Sequence, residues 1–254
     1  MPMLLAGKNG KGLLEMVIDI DCSDQQKFSG REMDMKNKIN DLENRIVIRH
    51  ETEEEYHEVE NVTREAFWNI YYPGSDSPYL IHIMRSHKDY LPEYSFVAVL
   101  DGKIVGSIQT TKAWLKSEDG KTEEIISFGP FAILPEFQRQ GIGKFLIRKV
   151  EEIARQNKIK AIVISGNPSN YSRIGFVGSK KHFITDANGK YPATLLVKIL
   201  DEADFGQKNL KFIESSVFGY DWHLAVDYDK NFKPKEKGYD YRQEEAYILG
   251  QAFL

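Results

Sequence analysis

The sequence predicts an α/β fold of the α+β kind, in which helices flank a mixed, mostly antiparallel central sheet. Asp101-Gly102 and Asp119-Gly120 are dipeptides that favour tight turns, and they join three strand-like segments into a meander. An amphipathic helix pattern then stands between two apolar strand patterns, and this order predicts a βαβ crossover. With 254 residues, 41% of them hydrophobic, the chain is long enough for one large domain.

The first elements lie before the meander. Residues 1–44 are expected to form an N-terminal extension of unclear structure, because glycines interrupt their short apolar run. A strand is expected over 45–50, and Thr52 to Glu55 has the Thr-x-x-Glu spacing that begins a helix. Apolar residues share one face of that helix: Val59, Val62, Ala66 and Ile70. A second helix is expected over 79–90.

The meander and the crossover supply the centre of the sheet. Strands are expected over 95–100, 104–111 and 125–134. A helix follows over 142–157, because apolar residues recur along one of its faces: Ile142, Leu146, Val150 and Ile153. The segment 161–164 is wholly apolar, which is typical of a strand buried on both faces in parallel pairing.

The remaining segments complete a domain predicted over 45–200. A helical turn is expected over 169–174, and two strands, 178–185 and 193–200, flank the Asn188-Gly189 turn. Residues 201–254 are too rich in aromatic side chains for a disordered tail. We expect this C-terminal extension to pack on the domain, around its acceptor cleft, or across a homodimer.

The segment from Gln138 to Lys144 has the composition of an anion-binding loop. The first N–H groups of a helix have no partners within it, and glycines at 141 and 143 let an anion approach them. A Walker A loop is excluded, because Gln138 stands where its first glycine belongs and Phe145 follows Lys144. A Rossmann fingerprint is excluded because Leu146 replaces its third glycine.

Gln138-Arg-Gln-Gly-Ile-Gly143 resembles the Q/R-x-x-G-x-G/A acyl-CoA loop of the GNAT N-acetyltransferase superfamily. Downstream, Tyr171 to Phe176 resembles the Tyr-x-x-x-Gly-Phe segment that closes the CoA site in that superfamily. The predicted order of elements over 45–200 is also that of the GNAT fold. The chain is therefore similar to the YhbS-like subgroup of this superfamily, whose βαβ core binds acyl-CoA.

The resemblance implies an acetyl-CoA-dependent N-acetyltransferase, in which a primary amine attacks the thioester directly. The acceptor, a small-molecule amine or a peptide or protein amine, stays open. The implied cofactor-binding residues are Phe131, Ala132, Ile133, Gln138, Arg139, Gln140, Gly141, Ile142, Gly143, Lys144 and Asn167. The first three would pair with the pantetheine arm through their backbone, although Phe131 and Ile133 are equally suited to a core. The Arg139 and Lys144 side chains could instead be solvated charges.

Tyr171 matches the position whose phenol protonates the departing thiolate in the family, although a packed tyrosine would look the same. No general base is evident, because the expected strand 125–134 contains no carboxylate. Glu93, Glu123 and Glu124 are the available candidates, although a surface charge explains each of them better. The alternative function is therefore a non-catalytic acyl-CoA-binding sensor. The family's acceptor pocket would lie between residues 67–72 and 190–192.

The composition of the chain also bears on its partners, its compartment and its metal content. The net charge is −4 and the 34 Lys and Arg residues are scattered, so no nucleic-acid partner and no membrane partner are expected. The apolar stretches are too short for a membrane span or a signal peptide. The single Cys22 excludes an intrachain disulfide, so a reducing cytoplasm is expected. The histidines are spread apart, and we expect no metal.

Overall fold

The structure, a computed structural model, describes residues 41–201 and 209–254. Residues Arg45 to Leu254 belong to one compact unit. The N-terminal extension expected over 1–44 lies almost wholly outside the described residues, and it stays a prediction. The boundary expected near residue 200 stays a prediction too, because 202–208 are outside the described residues.

The described residues contain one nine-stranded sheet. Its strands are β1 (Ile46–Arg49), β2 (Phe96–Leu100), β3 (Lys103–Ser117), β4 (Thr122–Ile133), β5 (Ala161–Ser165), β6 (Val177–Gly178), β7 (Ile184–Thr185), β8 (Leu195–Ile199) and β9 (Leu210–Ile213). The spatial order is β1-β2-β3-β4-β5-β8-β6, and β9 pairs with β3 and β7. All pairs are antiparallel except β4–β5 and β7–β9. This confirms the predicted mixed, mostly antiparallel sheet.

Helices flank this sheet, as predicted. They are α1 (Tyr56–Phe67), α2 (Ser77–Met84), α3 (Ile142–Gln156), α4 (Pro168–Tyr171), α5 (Trp222–Tyr228) and α6 (Tyr241–Gln251). The expected cap of the first helix is present, since the Thr52 N–H donates to the Glu55 carboxylate at 2.9 Å. Side chains of α1 and α2 share a core with β2 and β3: Val59, Val62, Ile81, Val97, Val99, Ile104 and Leu134. Within α3, Leu146 and Val150 are fully buried.

The predicted βαβ unit is confirmed by β4, α3 and β5. β4 and β5 run parallel and pair at Ile126 and Ile162. β4 then continues to Ile133 along β3, and a register irregularity opposite Ile108 and Thr110 marks a bulge. Beyond Ile126 the outer edge of β4 pairs with no strand of the described chain. The sheet therefore opens between the C-terminal ends of β4 and β5.

Four expected elements differ most in their bounds, and the first is β3, which continues to Ser117 beyond the expected Thr111. α1 ends at Phe67, because Trp68 has extended backbone and Asn69 a positive φ of 61°, so Ile70 lies beyond the helix. α2 ends at Met84, and turns replace its expected last residues. The strand expected over 178–185 is β6 and β7, separated by a 3-10 turn over Ser179–His182. That run is polar and basic, so it lacks the alternation a strand needs.

Within the parts of the chain that the structure describes, no helix combines the length and apolar character needed to cross a membrane.

Candidate active site

Aromatic side chains line the opening between β4 and β5. Phe131 and Tyr171, both predicted site residues, lie with ring centroids 6.3 Å apart. Phe128 lies 5.8 Å from Phe131 and 6.0 Å from Tyr171, and Phe176 lies 5.8 Å from Tyr171. The structure thus brings the two predicted motifs together around one aromatic cluster.

The backbone of β4 presents polar groups to this opening. The Leu134 N–H donates to the Val105 carbonyl at 2.9 Å, so the backbone polar groups of Leu134 face β3. Because the hydrogen-bonding direction alternates along an antiparallel strand, the backbone groups of Ala132 also face β3, whereas those of Phe131 and Ile133 face the open edge. The Ile133 carbonyl accepts a hydrogen bond from Gln138 Nε2 at 2.9 Å. The open edge can therefore pair with an extended ligand through Phe131 and the Ile133 N–H.

The predicted anion loop has a concave backbone. Arg139 and Gly141 both have positive φ, at 63° and 96°, and Gly141 is the N-cap of α3. Gln140 Nε2 donates to the Glu136 carbonyl at 2.9 Å, and this exposed bond closes the turn. The Lys144 N–H bonds to the Gly141 carbonyl at 2.9 Å. The N–H groups of Ile142 and Gly143 precede it and have no acceptor among the described residues, so they suit an anion.

Gly143 joins the loop to the strand. A Cβ at this position would lie 2.8 Å from Cζ of Phe131, a separation that real Cβ atoms do not tolerate. The absent side chain lets the Phe131 ring pack against the first turn of α3. The two halves of the predicted site are in direct contact for this reason.

Tyr171 occupies the end of α4, which Asn167 caps. Asn167 Oδ1 accepts hydrogen bonds from the Ser169 N–H at 3.0 Å and from Ser169 Oγ at 2.8 Å. A Cβ at Gly166 would lie 2.6 Å from Cε2 of Tyr171, so that glycine makes room for the ring. Burial, with a smaller contribution from Tyr71, raises the pKa of the Tyr171 phenol well above its usual value. Its hydroxyl has no hydrogen-bond partner in the described parts of the chain.

A basic groove of about 310 Å³ continues the site along α3. Its lining residues are Lys144, Ile147, Arg148, Glu151, Arg173, Ile174 and Lys198. Lys198 Nζ is bonded to the Glu151 carboxylate at 2.5 Å and to the Ile174 carbonyl at 2.6 Å. Sequence reasoning did not single out Arg148, Arg173 or Lys198. The four-residue spacing of Lys144 and Arg148 on a helix was the available signal.

The structure does not bring the considered general bases to the opening. Glu123 pairs with Lys160 at 3.1 Å, and Glu124 pairs with Lys112 at 3.4 Å. Both belong to the first residues of β4, roughly 25 Å along the strand from Phe131. Glu93 is exposed in a 3-10 turn before β2.

The C-terminal segment contributes residues that sequence reasoning did not place. The Phe218 ring lies 3.9 Å from where a Cβ of Gly129 would be, beside the bulge of β4. Tyr220 donates a hydrogen bond to the Asp76 carboxylate, and the Asp76 N–H donates to Tyr72 Oη at 2.8 Å. This segment therefore borders the opening together with the loop between α1 and α2.

The residues that the structure describes contain no cluster of three or more His, Cys, Asp or Glu side chains suited to a metal ion.

Comparison with known proteins gives three kinds of match. The sequence model of the Acetyltransferase (GNAT) family matches residues 62–180. The uncharacterized N-acetyltransferase YjhQ of Escherichia coli K12 is 36% identical over 86 residues. That alignment covers 34% of this chain and 46% of the relative, so the chain matches less than half of the relative's length.

Two solved structures share the fold. The GNAT family N-acetyltransferase YhbS from Escherichia coli, in complex with CoA, aligns with a TM-score of 0.58 and 19% identity. It covers 69% of this chain and 93% of its own. A GNAT family acetyltransferase from Brucella melitensis, in complex with acetyl-CoA, aligns with a TM-score of 0.52 and 22% identity, over 68% of this chain and 97% of that one.

Proposed function

We propose that the chain is an acetyl-CoA-dependent N-acetyltransferase acting on a primary amine, because the sequence model of the GNAT acetyltransferase family matches residues 62–180. One observation carries this proposal. The open edge of β4, the N-terminus of α3 and the Tyr171 phenol meet around one opening, where the Phe131 and Tyr171 rings lie 6.3 Å apart. The complexes of the YhbS and Brucella proteins with CoA and acetyl-CoA support it.

The residues around the opening fit acetyl-CoA as the co-substrate. The Phe131 backbone and the Ile133 N–H would pair with the amides of the pantetheine arm, as an added strand does. Ala132 would act by holding β4 to β3. The loop from Gln138 to Lys144 would bind the pyrophosphate through its backbone N–H groups.

The basic groove fits the remaining phosphate of the co-substrate. Lys144, Arg148 and Arg173 line it on two sides, and charge-assisted hydrogen bonds to phosphate are among the strongest that side chains make. Asn167 would contribute to binding of the co-substrate from the N-cap of α4, the short helix that ends at Tyr171.

The chemical step requires two groups of the protein, a donor to the oxyanion and an acid for the departing thiolate. The amine nitrogen forms a bond to the acetyl carbon, the carbon–sulfur bond breaks, and the sulfur leaves as a thiolate. An N–H donor on the open edge of β4 would stabilise the oxyanion, and the Phe131 N–H lies on that edge beside the Ile133 N–H that would pair with pantetheine. Tyr171 would protonate the thiolate, because a phenol is protonated at neutral pH, and it would then regain a proton from solvent.

The amine must also lose a proton before it attacks. A buried polar row lies on β3 and β4, and it contains Gln109, Thr111 and Ser127. Gln109 Nε2 and Thr111 Oγ1 are buried without hydrogen-bond partners, so an ordered water there would satisfy them and would pass the proton of the amine on to bulk solvent. We place the protein in the cytoplasm on the ground of its single cysteine.

Acetyl-CoA binding and thiol release test the proposal together. Calorimetry should detect acetyl-CoA binding, and free thiol should appear only when an amine from a panel of polyamines, aminoglycosides, amino acids and peptides is added. Binding without thiol release across the whole panel would instead favour a non-catalytic acyl-CoA sensor, which needs the loop but no proton transfer.

A further inference from the structure

Lys198, in β8, bonds to both walls of the basic groove. One wall is α3, which contributes Glu151, and the other is the 3-10 turn Ser172–Ile174, which carries Arg173. Lys198 Nζ lies 2.5 Å from the Glu151 carboxylate, and it donates to the Ile174 carbonyl at 2.6 Å. The lysine therefore bridges the two walls and fixes the distance between them.

The surroundings of Lys198 hold this bridge in one geometry. A Cβ at Gly175 would lie 3.2 Å from Cε and 3.4 Å from Nζ of Lys198, so the absent side chain leaves the ammonium room to reach the turn. Nζ also lies 5.9 Å from the centre of the Phe176 ring. The side chains of Lys198 and Glu151 are only 19% and 15% exposed. Water screens such a pair less than it screens an ion pair on the surface.

The bridge uses the charge of Lys198 within the protein. Two of the three donors of its ammonium have acceptors, and the Glu151 carboxylate opposes its charge. Lys144 and Arg173 line the same groove, and neither has a carboxylate partner within the described parts of the chain. An incoming phosphate consequently meets Lys144 on one wall and Arg173 on the other. The separation of these two cations depends on the bridge.

We infer that Lys198 is a positioning residue for the co-substrate: it holds Arg173 at the distance from α3 that the 3′-phosphate of acetyl-CoA requires. The inference rests on the proposed function, in which this groove binds that phosphate. A guanidinium binds phosphate through two parallel N–H bonds, and this geometry tolerates little displacement of the arginine. Loss of the bridge should therefore weaken binding of the 3′-phosphate and leave the rest of the co-substrate bound as before.

Calorimetry of CoA and of 3′-dephospho-CoA tests this inference on the wild type and on Lys198→Met, which keeps an unbranched side chain and removes the ammonium. We expect CoA to bind Lys198→Met about tenfold more weakly or worse, with 3′-dephospho-CoA within about twofold of the wild type. Equal CoA affinity in Lys198→Met and the wild type would overturn the inference. An equal loss for both ligands would show a role in the fold alone and would overturn it too.

Lys149→Met is the matched control. Lys149 also stands in an ion pair with a glutamate of α3, Glu152 at 3.2 Å, but neither residue lines the groove. This variant should bind both ligands within about twofold of the wild type. A loss of CoA affinity as large as that of Lys198→Met would mean that the charge of any lysine near α3 matters, and not the bridge.

A double-mutant cycle shows whether Lys198 acts through Arg173. In Lys198→Met the Glu151 carboxylate loses its cation, and its charge alone would repel a phosphate. If the effect passes through Arg173, adding Lys198→Met to Arg173→Met should change CoA affinity by less than about twofold, whereas independent effects multiply. A further loss as large as that in the wild-type background would show a direct effect of charge, and the positioning role would be wrong.

These measurements need neither an amine nor turnover, so they separate the inference from the proposed function. A protein that shows the expected CoA affinities but releases no thiol with any amine keeps the positioning role of Lys198 and lacks the transfer activity. A protein that releases thiol, and whose CoA affinity is unchanged in Lys198→Met, keeps the activity and lacks the positioning role. A wild type that binds no CoA would contradict both.

Discussion

Tyr171 combines a raised pKa with an unpaired hydroxyl at the open edge of β4. Its ring is held by Phe128, Phe131 and Phe176, and burial is the main cause of the shift. A phenol is protonated below its pKa, so raising that value keeps Tyr171 protonated through the neutral and alkaline range and makes it a weaker acid. Proton donation by Tyr171 should therefore not limit activity at any pH below about 10, the usual phenol value.

Replacing Tyr171 with Phe removes the donor and keeps the ring. We expect kcat to fall on the order of 100-fold, the usual size of a lost general acid, with acetyl-CoA affinity within twofold. The kcat of the wild type should show no alkaline fall below about pH 10. Tyr239→Phe, at a position 77% exposed, is the control and should keep full activity. Equal kcat in Tyr171→Phe and the wild type would remove the acid role.

Gly143 and Gly250 form a second matched pair, since both stand in helices. Ala is favoured over Gly within a helix by about 1 kcal/mol, so both Ala variants should fold. Only at Gly143 would the new Cβ meet another residue closely, 2.8 Å from the Phe131 ring, whereas at Gly250 it meets nothing within 4 Å. Calorimetry should show acetyl-CoA affinity about tenfold weaker in Gly143→Ala, a cost of about 1.4 kcal/mol, and unchanged in Gly250→Ala. Equal affinities would mean that the contact does not shape the site.

For single residues, local sequence patterns predicted the anion-binding loop but not the residues that surround it. Gln138 to Lys144 was readable because a helix start and two glycines are adjacent in sequence. The outward direction of Phe131 and Ile133 depends on the register of β4 against β3, which is not local. Arg173 was missed because only the fold brings it beside Lys144 and Arg148 in the basic groove.

Among the elements, β9 shows how far the C-terminal segment belongs to the fold. It pairs with the last residues of β3 and also with β7, and this pairing extends β3 beyond the expected Thr111. Arg64, which is 2% exposed, bonds to Asp229 of the same segment at 2.6 Å, and its guanidinium stacks on Trp68. A buried charge needs such a partner, so this pair fixes the segment to α1.

Substitution of Phe212 tests how much β9 contributes to the stability of the protein. Its side chain is 6% exposed and packs in a core cluster with Ala113 and Leu115 of β3. Phe212→Ala should lower the free energy of unfolding by about 3 to 4 kcal/mol, the usual cost of such a cavity. Lys211→Ala, on the exposed face of the same strand, should change it by less than about 0.5 kcal/mol. Urea unfolding measures the stability of both variants. Equal free energies of unfolding would show that β9 contributes little to the stability of the fold.

Elements with strong periodicity were predicted well, and those set by distant partners were not. The meander, α3 and the parallel β5 follow from turn dipeptides and apolar spacing within each segment. The division of 178–185 into β6 and β7 follows from pairing with two different strands, β8 and β9. β9 itself was not predicted, because four residues of a strand carry too little pattern.

In the molecule as a whole, the opening between β4 and β5 can be reached from two different sides. The basic groove along α3 leads to the opening from the side proposed for acetyl-CoA. The loop after α1, Phe218 and α6 border it from the side proposed for the amine. The two substrates would meet at the end of β4, beside Tyr171. This arrangement lets the amine attack directly, and no residue of the protein need carry the acetyl group.

The most direct test of this account is mass spectrometry of protein and products after incubation with acetyl-CoA, with and without the amine that gives the most thiol release. The account predicts that acetyl-CoA alone leaves the mass of the intact protein unchanged. With the amine added, one acetylated amine should form for each thiol released. A protein that binds acetyl-CoA yet forms no acetylated amine, or one that itself becomes acetylated before the amine is added and then passes the group on, would contradict it.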